Sequence, residues 1–192
     1  MVGFDTLRAD CDAGGYAAAR HLIDLGHRDI AVLTHPKRLD NIELRIAGAR
    51  RALAEAGLES ASASSTAGMT SKPCAPRLNL SWVAPRTAIF ALTNVCALAS
   101  LKAARGLSLE IPGDVSMVGF DDFDWMVALT PYLTTVSQPV AEFASSAWGL
   151  LMGRVKGERA IGVERVELPC TLKVRESSGP VRPRLKAVAD GR

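Results

Sequence analysis

Two adjacent carboxylates, Asp121 and Asp122, follow a short apolar run over residues 115–118 that stops at Gly119. In a doubly wound α/β sheet the carboxyl ends of the strands face the ligand crevice, so side chains just past such an end are placed to touch a ligand. One ionised carboxylate accepts two hydrogen bonds from neighbouring hydroxyls. Asp121 is the residue expected to do this, with Asp122 capping the turn. Acid/base or metal chemistry by the pair would need partners from elsewhere, and the sequence names none. Arg45 offers the complementary chemistry: from the first turn of a helix its guanidinium can project into a cleft with five donors in a planar fork. Thr93 and Asn94 follow a second apolar run, and Asn94 is expected to cap the helix after it. Trp125 can either stack on the face of a ring or pack in a core or at a subunit contact.

These side chains need elements to position them, and hydrophobic periodicity supplies a set. Residues 7–10 read as the end of a strand. Asp12 is a candidate cap for a helix over 13–25, with Ala18, Leu22 and Leu25 at helical spacing and Gly26 closing it. His27, just past that glycine, reads as a residue that fixes the helix-to-strand turn. Asp40 and Glu43 make a capping-box-like start to a helix reaching residue 56, with Ile46, Ala49, Leu53 and Ala56 as its buried stripe and Arg45 off it. Strands are expected at 30–34, 87–92, 115–118, 133–136, 163–168 and 171–174. A helix opens at Pro139 and carries Val140, Phe143, Ala144, Ala147, Leu150 and Leu151 on one apolar face.

Composition excludes several classes. The 192 residues are 48% hydrophobic and 22% charged, with a formal net charge of only +3, so no global field drives the chain onto nucleic acid or membrane. The basic residues Arg182, Arg184, Lys186 and Arg192 fall in a proline-containing end that reads as a solvated tail. Cys11, Cys74, Cys96 and Cys170 are scattered without a Cys-x-x-Cys pair, which reads as reduced thiols rather than a metal site. No signal-peptide pattern opens the chain and no apolar run reaches membrane-spanning length. Neither G-x-G-x-x-G nor a Walker A loop occurs, and no cofactor is expected.

Val118-Gly-Phe-Asp-Asp122, ahead of Pro131-Tyr-Leu-Thr-Thr-Val-Ser-Gln-Pro139, resembles the effector-binding domain of the LacI/GalR family of bacterial transcription regulators. The stretch from Gly14 to Leu33, the Arg45-x-x-Gly48 pattern and the segment from Pro169 to Ser177 resemble the same family. Residues 60–86, with Pro73, Pro76 and Pro85, depart from it. Either a compensated frameshift or a divergent loop fits that departure.

The resemblance implies an α/β, doubly wound parallel sheet of the periplasmic-binding-protein type, in which two lobes hold a small effector, commonly a sugar, between them. By analogy residues 11–139 and 169–180 would form the C-terminal lobe, residues 1–10 and 140–168 a remnant of a mostly missing N-terminal lobe, and 181–192 a loose tail. The effector would meet Arg45, Asp121, Asn41, Thr93, Asn94 and Trp125. Family members usually carry Asn-Asp or Asn-Asn where this chain has Thr93-Asn94, which points to an altered effector or a weaker site. The function implied is sensing within a cytoplasmic, homodimeric regulator, not catalysis. Operator DNA would be reached only through a helix-turn-helix domain that this sequence lacks. A periplasmic-type sugar-binding protein is the alternative on the same fold. The apolar face of the helix after Pro139 is expected to lie open to solvent, because the sheet it would cover is mostly not encoded.

Overall fold

The computed structural model describes residues 4–34, 39–58, 64–66, 86–158 and 162–182. In chain order the strands are β1 (Thr6–Asp10), β2 (Ile30–Thr34), β3 (Ser64–Thr66), β4 (Ala88–Ala91), β5 (Ser116–Phe120), β6 (Thr134–Ser137), β7 (Arg165–Pro169) and β8 (Thr171–Lys173). The helices are α1 (Cys11–Asp24), α2 (Asp40–Glu55), α3 (Asn94–Gly106) and α4 (Val140–Val155), with a 3-10 turn at Asp124–Val127. Six strands form one sheet in the order β3-β2-β4-β5-β6-β8, parallel except for the antiparallel β8 at its edge. β1 and β7 form a separate parallel pair.

β2, β4 and β5 are buried at every residue, which is what a parallel sheet covered on both faces demands. Alternate residues feed two cores. Ile30, Val32, Phe90, Val118, Phe120 and Val136 pack with α1 and α2 on one face. Ala31, Leu33, Ile89, Met117 and Leu133 pack with α3 on the other. The period-2 alternation of a strand thus sorts one apolar run into two layers. Gly26, at φ 91°, ends α1 in the left-handed conformation that only glycine adopts freely. Beyond it the buried His27 is tied by Nε2 to the Gly179 carbonyl at 3.0 Å. Burial lowers its pKa, so this imidazole serves as a neutral clasp on the returning chain. Val181 N–H donates to the Leu25 carbonyl at 3.0 Å, so order continues into the segment expected to be a tail; residues 183–192 lie outside the described residues.

Helix starts shift from their expected places. α1 begins at Cys11, not Ala13, because Asp10 rather than Asp12 accepts the Ala13 N–H, at 2.9 Å. Asp12 instead pairs with Arg51 across α1 and α2. α2 has no side-chain cap: Asp40 is its first helical residue, preceded by the extended Leu39. Thr93, not Asn94, caps α3 by accepting the Cys96 N–H at 3.2 Å. Of residues 60–86, Ser64–Thr66 pairs in parallel with β2, while residues 60–63 and 67–85 lie outside the described residues.

α4 leaves much of its apolar surface in solvent. Val140, Trp148, Leu151 and Val155 are 72%, 64%, 56% and 70% exposed, and only Leu150 and Gly153 are buried. Leaving several such side chains wet forgoes about 1.5 to 3 kcal/mol each, and a contiguous patch of this kind favours association. Hydrogen exchange is expected to show firm protection in β2, β4, β5 and β6 and weak protection in α4, with the chain self-associating at high concentration. Uniform protection through α4 in a monodisperse monomer would contradict this.

Candidate functional site

Leu92, Asp121 and Gln138 are each the first residue beyond a strand, after β4, β5 and β6, and parallel pairing brings all three to one edge of the sheet. Arg45 reaches this edge from α2. The apolar stripe predicts Arg45 off the buried face and in the first turn. It lies instead in the second turn on the buried face itself, between Ile42 and Ile46, and is 2% exposed. A charge so deeply placed needs partners, because an unpaired buried charge costs several kcal/mol. Arg45 Nη1 donates to the Leu92 carbonyl at 2.6 Å, Nη2 faces Asp121 Oδ1 at 3.4 Å, and the guanidinium lies 3.7 Å above the centre of the Phe120 ring. Its Nε is buried without a hydrogen-bond partner among the described residues.

Asp121 has φ 74°, a left-handed conformation uncommon outside glycine and best tolerated by Asn and Asp. Its backbone N–H donates to the Val136 carbonyl at 2.9 Å, and its Oδ1 accepts from Gln138 Nε2 at 2.5 Å. Gln138 thus fixes the carboxylate, a role that the sequence pattern does not single out. Two thiols adjoin this cluster: Cys11 at the start of α1 and Cys170 between β7 and β8, both packed in the core beneath α1 and α2.

The other expected site residues are placed differently. Asn41 is exposed and accepts the Ile42 N–H at 3.0 Å, and Asn94 accepts the Val95 N–H at 2.8 Å. Thr93 is buried beside Leu92, where its hydroxyl serves as the α3 cap. Trp125 is half-buried against the α3-side core near Met126 and Leu133, which is the packing option of its two readings. Asp122 does not cap the turn. It receives both arms of Arg175 at 2.7 and 3.0 Å, Lys173 Nζ at 2.7 Å and the Thr135 hydroxyl at 3.0 Å, tying β5, β6 and β8 together. Burial alone would raise its pKa, but these donors outweigh burial and hold the carboxyl down at about 2. The two carboxylates therefore do different work, Asp122 bracing the strands while Asp121 keeps its face on the sheet edge. Among the described residues no cluster of three or more His, Cys, Asp or Glu is arranged to hold a metal ion.

Residues 19–178 match the periplasmic binding protein-like domain family. The chain is 35% identical over 185 residues to the HTH-type transcriptional regulator DegA of Bacillus subtilis, covering 94% of this chain and 54% of DegA. It is 34% identical over 172 residues to the probable opine utilization operon repressor of Rhizobium rhizogenes, covering 84% of this chain and 87% of that protein. The chain belongs to the LacI/GalR family. It thus spans about half the length of DegA but most of the Rhizobium repressor. Among solved structures of the LacI family, an Enterococcus faecium regulator with bound ribose superposes with a TM-score of 0.81 at 27% identity, over 95% of this chain and 68% of that one. The regulator CelR in complex with cellobiose gives a TM-score of 0.78 at 31% identity, over 91% and 54%. These LacI-type neighbours carry the doubly wound α/β architecture expected from the sequence motifs.

Proposed function

We propose that this chain is the effector-sensing part of a LacI/GalR-type transcriptional regulator, with a sugar or similar polyol held at the sheet edge by Arg45 and Asp121. The observation that carries the reading is the Arg45–Asp121 pair, fixed by Leu92, Phe120 and Gln138 at the carboxyl edge of the sheet. A carboxylate already oriented by Gln138 has acceptor capacity left for two hydroxyls, and a stacked guanidinium offers donors that need no rotation to meet them. The ribose and cellobiose held by the structural neighbours favour a sugar. On this reading the protein works in the cytoplasm as a homodimer and meets operator DNA through a separate helix-turn-helix domain. On this reading the site senses rather than catalyses, and Asp122, the carboxylate beside Asp121, is taken up by Arg175, Lys173 and Thr135. The two sheets would then be parts of two lobes, with the effector at their junction.

Calorimetric titration with a panel of pentoses, hexoses and disaccharides tests this. A bound sugar should lose about ten- to a hundredfold in affinity on Asp121→Ala or Gln138→Ala, the range for one or two hydrogen bonds to a charged group. A sugar that binds Asp121→Ala as tightly as the parent would remove this site from consideration.

A further inference from the structure

The register of the small sheet ends at Asp10 opposite Pro169, and the residue after each is a cysteine, Cys11 opening α1 and Cys170 lying between β7 and β8. Paired strands lie about 5 Å apart, so the residues that directly follow the last pair start out near the roughly 4.4 to 6.8 Å between Cα atoms that a disulfide spans. Both side chains enter the same core, and the Cys170 Cβ lies 3.1 Å from where a Cβ on Gly14 would sit, one turn along α1 from Cys11. Both thiols are free. They occupy two of the places where the chain passes between the sheets, from β1 into α1 and from β7 into β8.

We propose that Cys11 and Cys170 are a dithiol modification site that a hydroperoxide converts to an internal disulfide, stapling these two crossovers. The groups facing the pair set the roles. The neighbouring Cys170 thiol, together with the guanidinium of Arg45 on α2, brings Cys11 down to about 6 against burial and the opposing charge of Asp121 past β5. Cys170 moves the other way, raised by the adjacent Cys11, by burial and by the charge of Asp10 on β1, against Arg45. Of the two, Cys11 is therefore the one drawn toward the thiolate and Cys170 the one that holds its proton. Cys96, as deeply buried as Cys11, offers a contrast, since desolvation raises its pKa.

Each step balances. The Cys11 thiolate attacks the terminal peroxide oxygen, the O–O bond breaks, and the departing alkoxide or hydroxide takes a proton from water. Cys11 is then a sulfenic acid. The Cys170 sulfur attacks it, the S–O bond breaks, and water leaves with the Cys170 proton. Two thiols and one hydroperoxide give one disulfide, one alcohol or water from the peroxide, and one water, with two electrons passing from sulfur to oxygen. Thiolates of lowered pKa that a peroxide can reach, with a resolving cysteine alongside, follow this route, and Cys170 is the partly exposed member of this pair. The bond would restrict the crossovers on which any movement of one sheet against the other depends, and it would remove the negative sulfur from beside Arg45.

The full chain is treated with hydrogen peroxide at pH 7 and its cysteines are mapped by proteolysis and mass spectrometry. The expected product is a Cys11–Cys170 cross-link that dithiothreitol reverses. In Cys170→Ser the sulfenic acid on Cys11 should persist and be trapped by dimedone, and in Cys11→Ser the cross-link should be absent. Without peroxide, Cys11 should alkylate with iodoacetamide about tenfold faster than Cys96 at pH 7. A parent chain that cross-links through other cysteines or between chains, or whose Cys11 reacts no faster than Cys96, would overturn the proposal.

Discussion

Replacing Gly48 with alanine is expected to cost about 3 kcal/mol or more and to dislodge Arg45. A Cβ there would lie 1.9 Å from the Asp12 carbonyl oxygen and 2.7 Å from the Tyr16 nitrogen, both backbone atoms of α1 that cannot rotate away. Gly15 makes the reciprocal approach, where a Cβ would sit 2.2 Å from the carbonyl oxygen of Arg45. α1 and α2 therefore meet backbone to backbone, and one methyl group must force them apart. Overpacking of a closed core ordinarily costs about 1 to 3 kcal/mol, and rigid atoms on the far side put this case at the upper end. The Arg45-x-x-Gly48 spacing acquires a physical meaning from this. One turn separates the two residues on the same helix face, so the glycine brings α2 close enough for the arginine to lie over Phe120. Urea unfolding is the measurement, with Gly106→Ala as control, since nothing lies within 4 Å of a Cβ at Gly106. Equal stability of Gly48→Ala and the parent would show that the helices separate without loss.

Asp122→Ala is expected to cost about 2 to 3 kcal/mol without touching the sheet edge. It would leave the Arg175 guanidinium, 17% exposed, bound only to the Leu133 carbonyl and the Thr135 hydroxyl, and would free Lys173. Removing one partner of a mostly buried pair strands the other charge, and the solvent around half-exposed Lys173 keeps the cost below that of a fully buried network. The same network sets an acid limit. Asp122 is held at about 2 in the folded chain against an ordinary 3.8. A depressed carboxylate contributes stability above its unfolded pKa and loses it as pH falls through the folded one, so this contribution is full above about pH 4 and disappears toward pH 2. With solvent screening it amounts to about 1 to 2 kcal/mol. Thermal unfolding of parent and Asp122→Asn from about pH 6 to pH 2 should therefore converge at the acid end. A constant gap across that range would mean that the carboxylate's charge is not what stabilises the fold.

The central strands are legible in the sequence because β2, β4 and β5 are buried on both faces, and such strands must be written as unbroken apolar runs. The caps are harder. Whether Asp10 or Asp12 caps α1, or Thr93 or Asn94 caps α3, turns on which backbone N–H the side chain reaches, and neighbouring residues of similar propensity do not differ in that respect by type. Arg45 reads as lying off the buried stripe because counting apolar positions assigns every charge to solvent. Its burial depends on Phe120, Leu92 and Asp121, which are distant in sequence. Gln138 and the Arg175–Asp122 strut escape for the same reason, since both are contacts between strand ends joined only by the sheet. The pairing of Cys11 with Cys170 is hidden in a sequence where four cysteines look scattered, and only the β1–β7 register makes them neighbours.

That register also places a demand on synthesis. Thr6 pairs with Arg165, so at about 5 to 20 residues per second a ribosome leaves β1 without its partner for roughly 8 to 30 s. For that interval the edge of β1 that meets β7 is open, available to any other nascent chain nearby. Its sequence suits the wait: Thr6 and Arg8 are exposed, Asp10 closes it, and Arg8 later pairs with Glu167 at 3.0 Å. A charge that contributes little to the finished protein is thus placed to keep an early strand from joining the wrong chain before β7 emerges to meet it.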